Sequence, residues 1–145
     1  MALDFTASIN RNIKKLEQSI NDKVYKISIT LFHEIVRRTP SPTNKGETAT
    51  GLLANQWYPM AGGGFSESLG SDTSPNGAGS RARISALAGG KEFFGKDGRL
   101  TLSNNVHYAY RAEMLGWPKS DGWSGTVGAY RMVALSLQEI AARHR

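Results

Sequence analysis

The stretch whose spacing most suggests catalysis is Gly-Lys-Glu-Phe-Phe-Gly-Lys-Asp at residues 90–97, which has the glycine and lysine spacing of a phosphate-binding P-loop. That motif requires Ser or Thr after its last lysine to hold Mg²⁺, and position 97 is aspartate. A P-loop also opens a helix whose N-terminal amides face the phosphates, whereas Asp97-Gly98 is typical of a turn before a strand. The departures argue against nucleotide binding.

Other groups that could do chemistry are scattered along the chain. Cysteine is absent, which excludes disulfides, thiolate metal sites and thiol nucleophiles. His33, His107 and His144 lack metal-ligand spacing, and no Gly-x-Ser-x-Gly nucleophile elbow occurs. Glu113 is a lone carboxylate, for which we expect an ion pair with Arg111 or with a neighbouring subunit. We therefore expect no catalytic residue, no metal site and no cofactor, and the chain is not expected to be an enzyme.

The positive charge of the chain is spread over its length. The formal net charge is +6 and the pI is near 9.8, a balance that favours polyanionic partners. The number of Lys and Arg residues minus the number of Asp and Glu residues is 7 − 4 = +3 for residues 1–38, 6 − 5 = +1 for residues 39–99 and 5 − 3 = +2 for residues 100–145. A solvated surface of mixed charge is the main interpretation, and contact with nucleic acid is the alternative. No run of about 18 apolar residues and no basic leader occur, so we expect neither a membrane span nor a secretory signal.

The elements that must position these groups begin with a long helix over residues 1–38. One helical stripe comprises Ile9, Ile13, Leu16, Ile20, Val24, Ile27, Leu31 and Ile35. Thr39-Pro40 should end the helix because proline restrains the residue before it. Such a helix exceeds the width of a domain of this size, so part of it must project or pack on something else. We expect the stripe to be buried, so that Ile20→Asp or Val24→Asp would unfold the subunit, and an intermolecular coiled coil is the alternative.

The rest of the chain predicts an α+β fold in one domain, 1–145, with the long N-terminal helix and a C-terminal helix packed on a small, mainly antiparallel sheet. The further predicted elements are a strand within 53–58, a flexible glycine-rich loop over 60–80, a short helix over 81–88, a hairpin over 100–112 and a C-terminal helix over 129–145. In the hairpin, Asn104-Asn105 marks the turn and Val106–Ala112 returns along the first strand.

Several short motifs are carried in a specific order. They are Thr39-Pro40, Thr50-Gly51-Leu52, Trp57, Asn104-Asn105-Val106-His107-Tyr108-Ala109, Glu113 and Gly116. In these residues the sequence resembles the tail-completion and head-tail joining proteins of long-tailed bacteriophages. The resemblance spans almost the whole chain. This sequence departs from the family in the insertion Ser41–Ala49, between Thr-Pro and Thr-Gly.

The resemblance implies a structural virion protein of the phage neck or head-proximal tail end, made in the cytoplasm of the bacterial host. It further implies a homo-oligomeric ring, hexameric by family analogy, that contacts tail-tube and neck or connector proteins and lets DNA pass with transient, non-specific contact. Tail terminator and tail-completion roles both remain open. The main alternative is a free basic DNA-binding protein, although no helix-turn-helix or ribbon signature is evident.

Two sets of residues are candidates for contacts within such an assembly. Aromatic residues outside the helical stripes, with neighbouring charged residues, are candidates for the subunit interface because aromatics are enriched there; they are Trp57, Tyr108, Tyr110, Arg111, Glu113, Trp117 and Trp123. If DNA threads the ring, a sparse set of basic residues should face the lumen; the candidates are Arg81, Arg83, Lys91, Lys96, Arg143 and Arg145.

Overall fold

The computed structural model of the chain describes residues 2–40, 51–62, 70–88, 99–114, 117–118, 126–127 and 131–145. The elements in chain order are α1 (Ala2–Arg38), α2 (Leu52–Asn55), β1 (Trp57–Ala61), a 3₁₀ turn (Pro75–Gly77), α3 (Ala78–Ala88), β2 (Leu100–Asn104), α4 (Ala109–Met114), β3 (Trp117–Pro118), β4 (Thr126–Val127) and α5 (Met132–Arg143). The predicted α+β class is confirmed, with long N-terminal and C-terminal helices and small antiparallel sheets.

The main sheet is built from β1 and β2, which run antiparallel with Trp57 opposite Asn104 and Ala61 opposite Leu100. The predicted hairpin over 100–112 is therefore wrong in its second half, because the partner of β2 comes from about 40 residues earlier and residues 109–114 form α4. The side chain of Asn104 explains the departure, since its Oδ1 accepts a hydrogen bond from the Val106 amide at 3.1 Å. This local turn directs the chain off the sheet and into α4.

The strand predicted within 53–58 begins later than expected. Leu52–Asn55 form one helical turn, and β1 starts at Trp57. The turn is possible because Gly51 has a φ of 85°, a left-handed conformation that glycine adopts at little cost. The buried Asn55 side chain then donates from Nδ2 to the Gly51 carbonyl at 2.9 Å, which competes with extended backbone at this position.

The core lies where the C-terminal third of α1 meets α3, α5 and the β1–β2 sheet. Its buried residues are Phe32, Ile35, Val36, Leu53, Trp57, Ile84, Val106, Ala112 and Met132. The predicted short helix over 81–88 is confirmed within α3, which begins three residues earlier and buries Ile84 completely. The predicted C-terminal helix is confirmed as α5, and Thr39-Pro40 ends α1 as expected.

The second half of the predicted glycine-rich loop is ordered within the single chain, contrary to the expectation of a flexible segment over 60–80. Residues 70–80 include the 3₁₀ turn and the start of α3. The Gly70 amide donates to Gln56 Oε1 at 3.0 Å, and Asn55 Nδ2 donates to the Ser74 carbonyl at 2.8 Å. Hydrogen bonds that buried amide side chains donate and accept therefore hold this segment in place. Its few apolar residues would not predict this order. Residues 63–69 of the same prediction lie outside the described residues.

The N-terminal part of α1 projects from the folded body. A helix of 37 residues is about 55 Å long, and its first residues with packed side chains in the core are Ile29 and Leu31. The expected burial of Ile20 and Val24 is wrong, because these side chains are 51% and 44% exposed. Six large apolar side chains lie exposed along the projecting part, and we call them the exposed stripe: Phe5, Ile9, Ile13, Leu16, Ile20 and Val24.

Candidate functional site

The end of α1, β1 and α3 are tied together by hydrogen bonds around Trp57. The indole Nε1 donates to Thr39 Oγ1 at 2.9 Å, and this hydroxyl donates to the Ile35 carbonyl at 2.7 Å. The Trp57 backbone amide donates to Ser80 Oγ at 3.0 Å. Thr39 and Ser80 are fully buried, and Trp57 is only 6% exposed. We call this the Thr39–Trp57 junction.

Four of the described residues that carry the resemblance lie at or beside the junction, and they are Thr39, Gly51, Trp57 and Asn104. Gly51 forms the turn that precedes β1, and Asn104 Nδ2 donates to the Leu53 carbonyl at 2.9 Å. The sequence motifs at Thr39, Gly51, Trp57 and Asn104 therefore meet in one buried region although they span 66 positions of the chain. Their polar groups bond to the chain itself, which is the arrangement of a scaffold.

Trp57, predicted as an interface residue, is thus a core residue, and Arg83, predicted to face a lumen, packs beside it. The Arg83 guanidinium donates from Nη2 to the Asn55 carbonyl and from Nε to the Trp57 carbonyl, the latter at 3.2 Å. Its Cζ also lies 4.1 Å from the centre of the Tyr58 ring, in cation–π geometry. The contacts within the chain occupy this side chain and fix α3 against β1.

We expect Arg83→Ala to lower the free energy of unfolding by about 2 kcal/mol, because hydrogen bonds from a charged donor to two partly buried carbonyls are lost. Arg81→Ala is the matched control on the same helix, since the Arg81 side chain makes an exposed hydrogen bond to the Asn76 carbonyl at 2.7 Å. Urea denaturation followed by circular dichroism measures both variants. Equal losses in the two would contradict the structural role of Arg83.

Glu113 stabilises the start of α5 from a different element. Its carboxylate oxygens accept hydrogen bonds from the amides of Val133 and Ala134, each at 3.1 Å, and its carbonyl accepts one from the Arg131 amide at 3.2 Å. Arg131 precedes α5 in a left-handed conformation and makes no side-chain cap of its own. A carboxylate at a helix N-terminus also interacts favourably with the helix dipole. Sequence reasoning missed this role, because a capping side chain usually lies next to the helix that it caps.

Of the remaining candidate interface residues whose side chains are described, one packs at the edge of the core and another is exposed on the surface. Tyr108 is half-buried against the core and meets His107 edge-to-face with ring centroids 5.0 Å apart. Tyr110 projects from α4 with 69% of its surface exposed. Arg111 belongs to α4 and Trp117 to β3, but their side chains lie outside what the structure describes, as does the whole of Trp123. Tyr110 is therefore the described aromatic candidate that is most accessible to another subunit.

The described candidate lumen residues lie on two parts of the chain, with Arg81 and Arg83 on α3 and the other two at the C-terminus. Arg81 is partly exposed on α3, whereas Arg143 and Arg145 are exposed at the C-terminus. Lys91 and Lys96 lie outside the described residues. The assignment of these side chains to a lumen stays a prediction.

A charge cluster joins the last turns of α1 and α5. It consists of Glu34, Arg37, Arg38, Glu139 and Arg143. Glu139 bridges the two helices, because it pairs with Arg38 of α1 and with Arg143 one turn further along α5. The hydrogen bond from Arg38 is the main reason that the pKa of Glu139 lies below its ordinary value, with Arg143 contributing. Two carboxylates therefore pair with three guanidinium groups, which leaves a local formal charge of 3 − 2 = +1.

Because its pKa is lowered by folding, Glu139 stabilises the fold above the pKa of an unfolded glutamate, and this contribution is lost as the pH falls through the pKa in the folded state. We expect Glu139→Gln to lower the urea midpoint at pH 7 and the difference from the wild type to shrink on acidification below about pH 4. Glu17→Gln, on the projecting part of α1, is the control and should leave the midpoint unchanged. A difference that stays constant between pH 7 and pH 3.5 would contradict this account.

The described part of the chain contains no group of three His, Asp or Glu side chains placed to hold a metal ion. His33 is half-buried on α1, and its burial, followed by the charge of Arg81, lowers its pKa. Among the residues that the structure covers, no helix has the length and apolar character needed to cross a membrane.

No protein-family model matches the chain, and no curated protein and no solved structure shows significant similarity to it.

Proposed function

We propose that the chain is a structural protein of a tailed-phage virion that forms a homo-oligomeric ring, hexameric by analogy with the family that it resembles, at the head-tail junction or the head-proximal end of the tail. The ring completes or terminates the tail, contacts tail-tube and neck proteins and lets packaged DNA pass. The protein performs no chemistry in this role.

The observation that carries the proposal is that four of the resemblance-bearing residues, Thr39, Gly51, Trp57 and Asn104, lie at or beside the Thr39–Trp57 junction. Thr39 at the end of the long helix and Trp57 are 18 positions apart in the chain, yet they form one buried hydrogen bond. A resemblance based on the order of short motifs is stronger evidence for a shared fold when the motifs contact each other in the structure. Each motif then stabilises the same region of the fold. The insertion at 41–49, where this chain departs from the family, lies between these two parts and outside the described residues.

The distribution of charge is consistent with weak, transient contact with DNA. Arg37, Arg38 and Arg143 are paired with carboxylates in the charge cluster, and Arg83 bonds to backbone carbonyls. Pairing of this kind reduces the number of phosphates that the described residues can neutralise, and tight phosphate binding would hinder passage of DNA through a ring.

Negative-stain electron microscopy of the purified protein, alone and mixed with tail tubes, tests the proposal. We expect rings that cap tube ends. Tyr110→Asp, at the exposed aromatic candidate, should reduce the capping of tube ends without altering the circular dichroism spectrum. Gln138→Asp, on the exposed face of α5, is the control and should leave the capping unchanged. Protein that never associates with tubes under conditions where tails assemble would overturn the virion role.

DNA binding separates this proposal from a free DNA-binding protein. We expect binding to duplex DNA in the range of about 10⁻⁴ to 10⁻⁶ M at physiological salt, weakening as salt rises. Sequence-specific, nanomolar binding that survives about 0.2 M salt would favour the DNA-binding alternative. Metal-dependent cleavage of DNA would contradict the non-enzymatic role.

A further inference from the structure

The exposed stripe has a spacing that reads the same in both directions along the helix. Its six residues, Phe5, Ile9, Ile13, Leu16, Ile20 and Val24, are separated by 4, 4, 3, 4 and 4 positions. A second copy of the same helix laid antiparallel therefore places Phe5 level with Val24, Ile9 with Ile20 and Ile13 with Leu16. No other described helix of the chain approaches the length of this surface.

The stripe also stays on one side of the helix over its whole length. Phe5, Leu16 and Ile27 are 11 residues apart, as are Ile9 and Ile20. An 11-residue repeat differs little from the period of a straight helix and gives only a slight right-handed supercoil. Two such helices can therefore remain in contact over the full stripe without strong bending.

The charged residue nearest the stripe is Lys23, which lies at the same angle on the helix as Phe5 and therefore at the edge of the stripe, where its long side chain can reach solvent. Lys14 and Lys15 lie between Ile13 and Leu16 in sequence, but successive residues are rotated by about 100° around the helix, so both lysines lie on the far side from the stripe. An antiparallel pair would bring the apolar residues together and leave these lysines in solvent.

The amount of apolar surface is sufficient for a stable pair. The six side chains are between 41% and 70% exposed, which corresponds to roughly 500 Å² of apolar surface per chain, above what scattered surface hydrophobics present. A typical specific interface buries about 800 Å² per partner, of which somewhat more than half is apolar. The stripe alone supplies apolar area of this size.

The position of the folded body decides the orientation. Leu31 and Ile35 continue the line of the stripe, and they pack into the core of their own chain. In a parallel pair, the bodies of both chains would lie at the C-terminal end of the paired helices, where the core of each chain already covers the apolar line of α1. An antiparallel partner places the two bodies at opposite ends of the pair. We propose that two copies of this chain associate antiparallel through the exposed stripe of α1, forming a two-fold symmetric dimer.

The proposal does not depend on the virion role, since it concerns the chain by itself in solution. Pairing uses only the projecting part of α1 and leaves surfaces of the body, such as Tyr110 on α4, accessible to other contacts. Loss of dimerisation and loss of tube capping are therefore separate outcomes.

Light scattering coupled to gel filtration of the full chain tests the association. In the absence of tail tubes, we expect the wild type to have twice the 15.8 kDa mass of the chain at micromolar concentrations, whereas the ring of the proposed function is expected at tube ends. Ile13→Asp should be monomeric with a helical circular dichroism spectrum, because the residue is exposed in the single chain. Lys15→Asp, on the opposite face of the same turn, should remain dimeric.

Disulfide trapping tests the orientation, and the absence of native cysteine makes every cross-link assignable. In a mixture of Phe5→Cys and Val24→Cys chains, oxidation should join position 5 of one chain to position 24 of the other, which mass spectrometry of the peptides identifies. Predominant 5–5 and 24–24 cross-links would overturn the antiparallel arrangement. A monomeric wild type, including one that binds anionic lipid vesicles through α1, or an oligomer that survives Ile13→Asp, would overturn the proposal.

Discussion

Replacing Trp57 by alanine is expected to remove a large part of the free energy of unfolding. The side chain is 6% exposed and belongs to the hydrophobic core, and truncating a buried tryptophan costs about 3–5 kcal/mol. Small domains have a total free energy of unfolding of about 5–15 kcal/mol, so the loss is a large fraction of the whole. Thermal and urea denaturation, followed by far-ultraviolet circular dichroism, should show a lower midpoint or no cooperative transition. Tyr110→Ala removes an exposed aromatic and should change stability by less than about 0.5 kcal/mol.

A gentler pair of substitutions isolates the hydrogen bond of the junction from the packing of the ring. Trp57→Phe keeps an aromatic side chain but removes the Nε1 donor, and Thr39→Val removes the Oγ1 acceptor with little change of shape. We expect the double variant to be less destabilised than the sum of the single variants, with a coupling energy of about 1 kcal/mol. Strict additivity would show that the bond between Trp57 and Thr39 contributes nothing.

Gly77→Ala should have the second large effect, through a clash instead of a cavity. Gly77 has a φ of +66°, and a Cβ added there would lie 2.6 Å from Val36 Cγ1 and 2.9 Å from the Ala54 carbonyl oxygen. The left-handed conformation costs about 1–2 kcal/mol for a residue with a side chain, and overpacking of a core costs about 1–3 kcal/mol more. We expect a loss of a few kcal/mol in the free energy of unfolding, measured by urea denaturation.

Gly70→Ala is the matched control for this substitution. A Cβ at Gly70 would come no nearer than 3.3 Å, and the nearest atom is the end of the Gln56 side chain. This variant should therefore remain close to the wild type in stability. A Gly77→Ala protein as stable as Gly70→Ala would show that the 3₁₀ turn can move away from α1.

The apolar periodicity of α1 predicted the helix, and Thr39-Pro40 predicted the point where it ends, but neither indicated which part of the stripe the body would cover. Ile13 and Ile35 belong to the same sequence pattern, yet one is about half-exposed and the other is buried. The pattern reports only that a helix has an apolar face. The surface that covers this face is set by distant elements, here α3 and α5, whose positions the local sequence does not encode.

The same distinction between local and distant information explains which features of the sheet and of the candidate site could be predicted from the sequence. Alternation located the strand at Leu100–Asn104, but its partner is β1, and the choice between near and distant partners depends on the whole fold. The Thr-Pro and Trp motifs were recognised in sequence, whereas the hydrogen bond between them could be seen only in the fold. Glu113 was noticed as a lone carboxylate, but its partner amides lie 20 and 21 residues away. Lys91, Lys96 and Trp123 lie outside the described residues.

The attachment of Glu113 to α5 has a consequence for the way in which the body opens. The amides of Val133 and Ala134 are bonded to a side chain of α4 and lie in the first turn of α5, where a helix provides no partner of its own. Separation of α4 from the body exposes these two amides to water even while the rest of α5 remains helical. Their hydrogen-exchange rates therefore report on the local opening of α4, separately from the unfolding of the rest of α5.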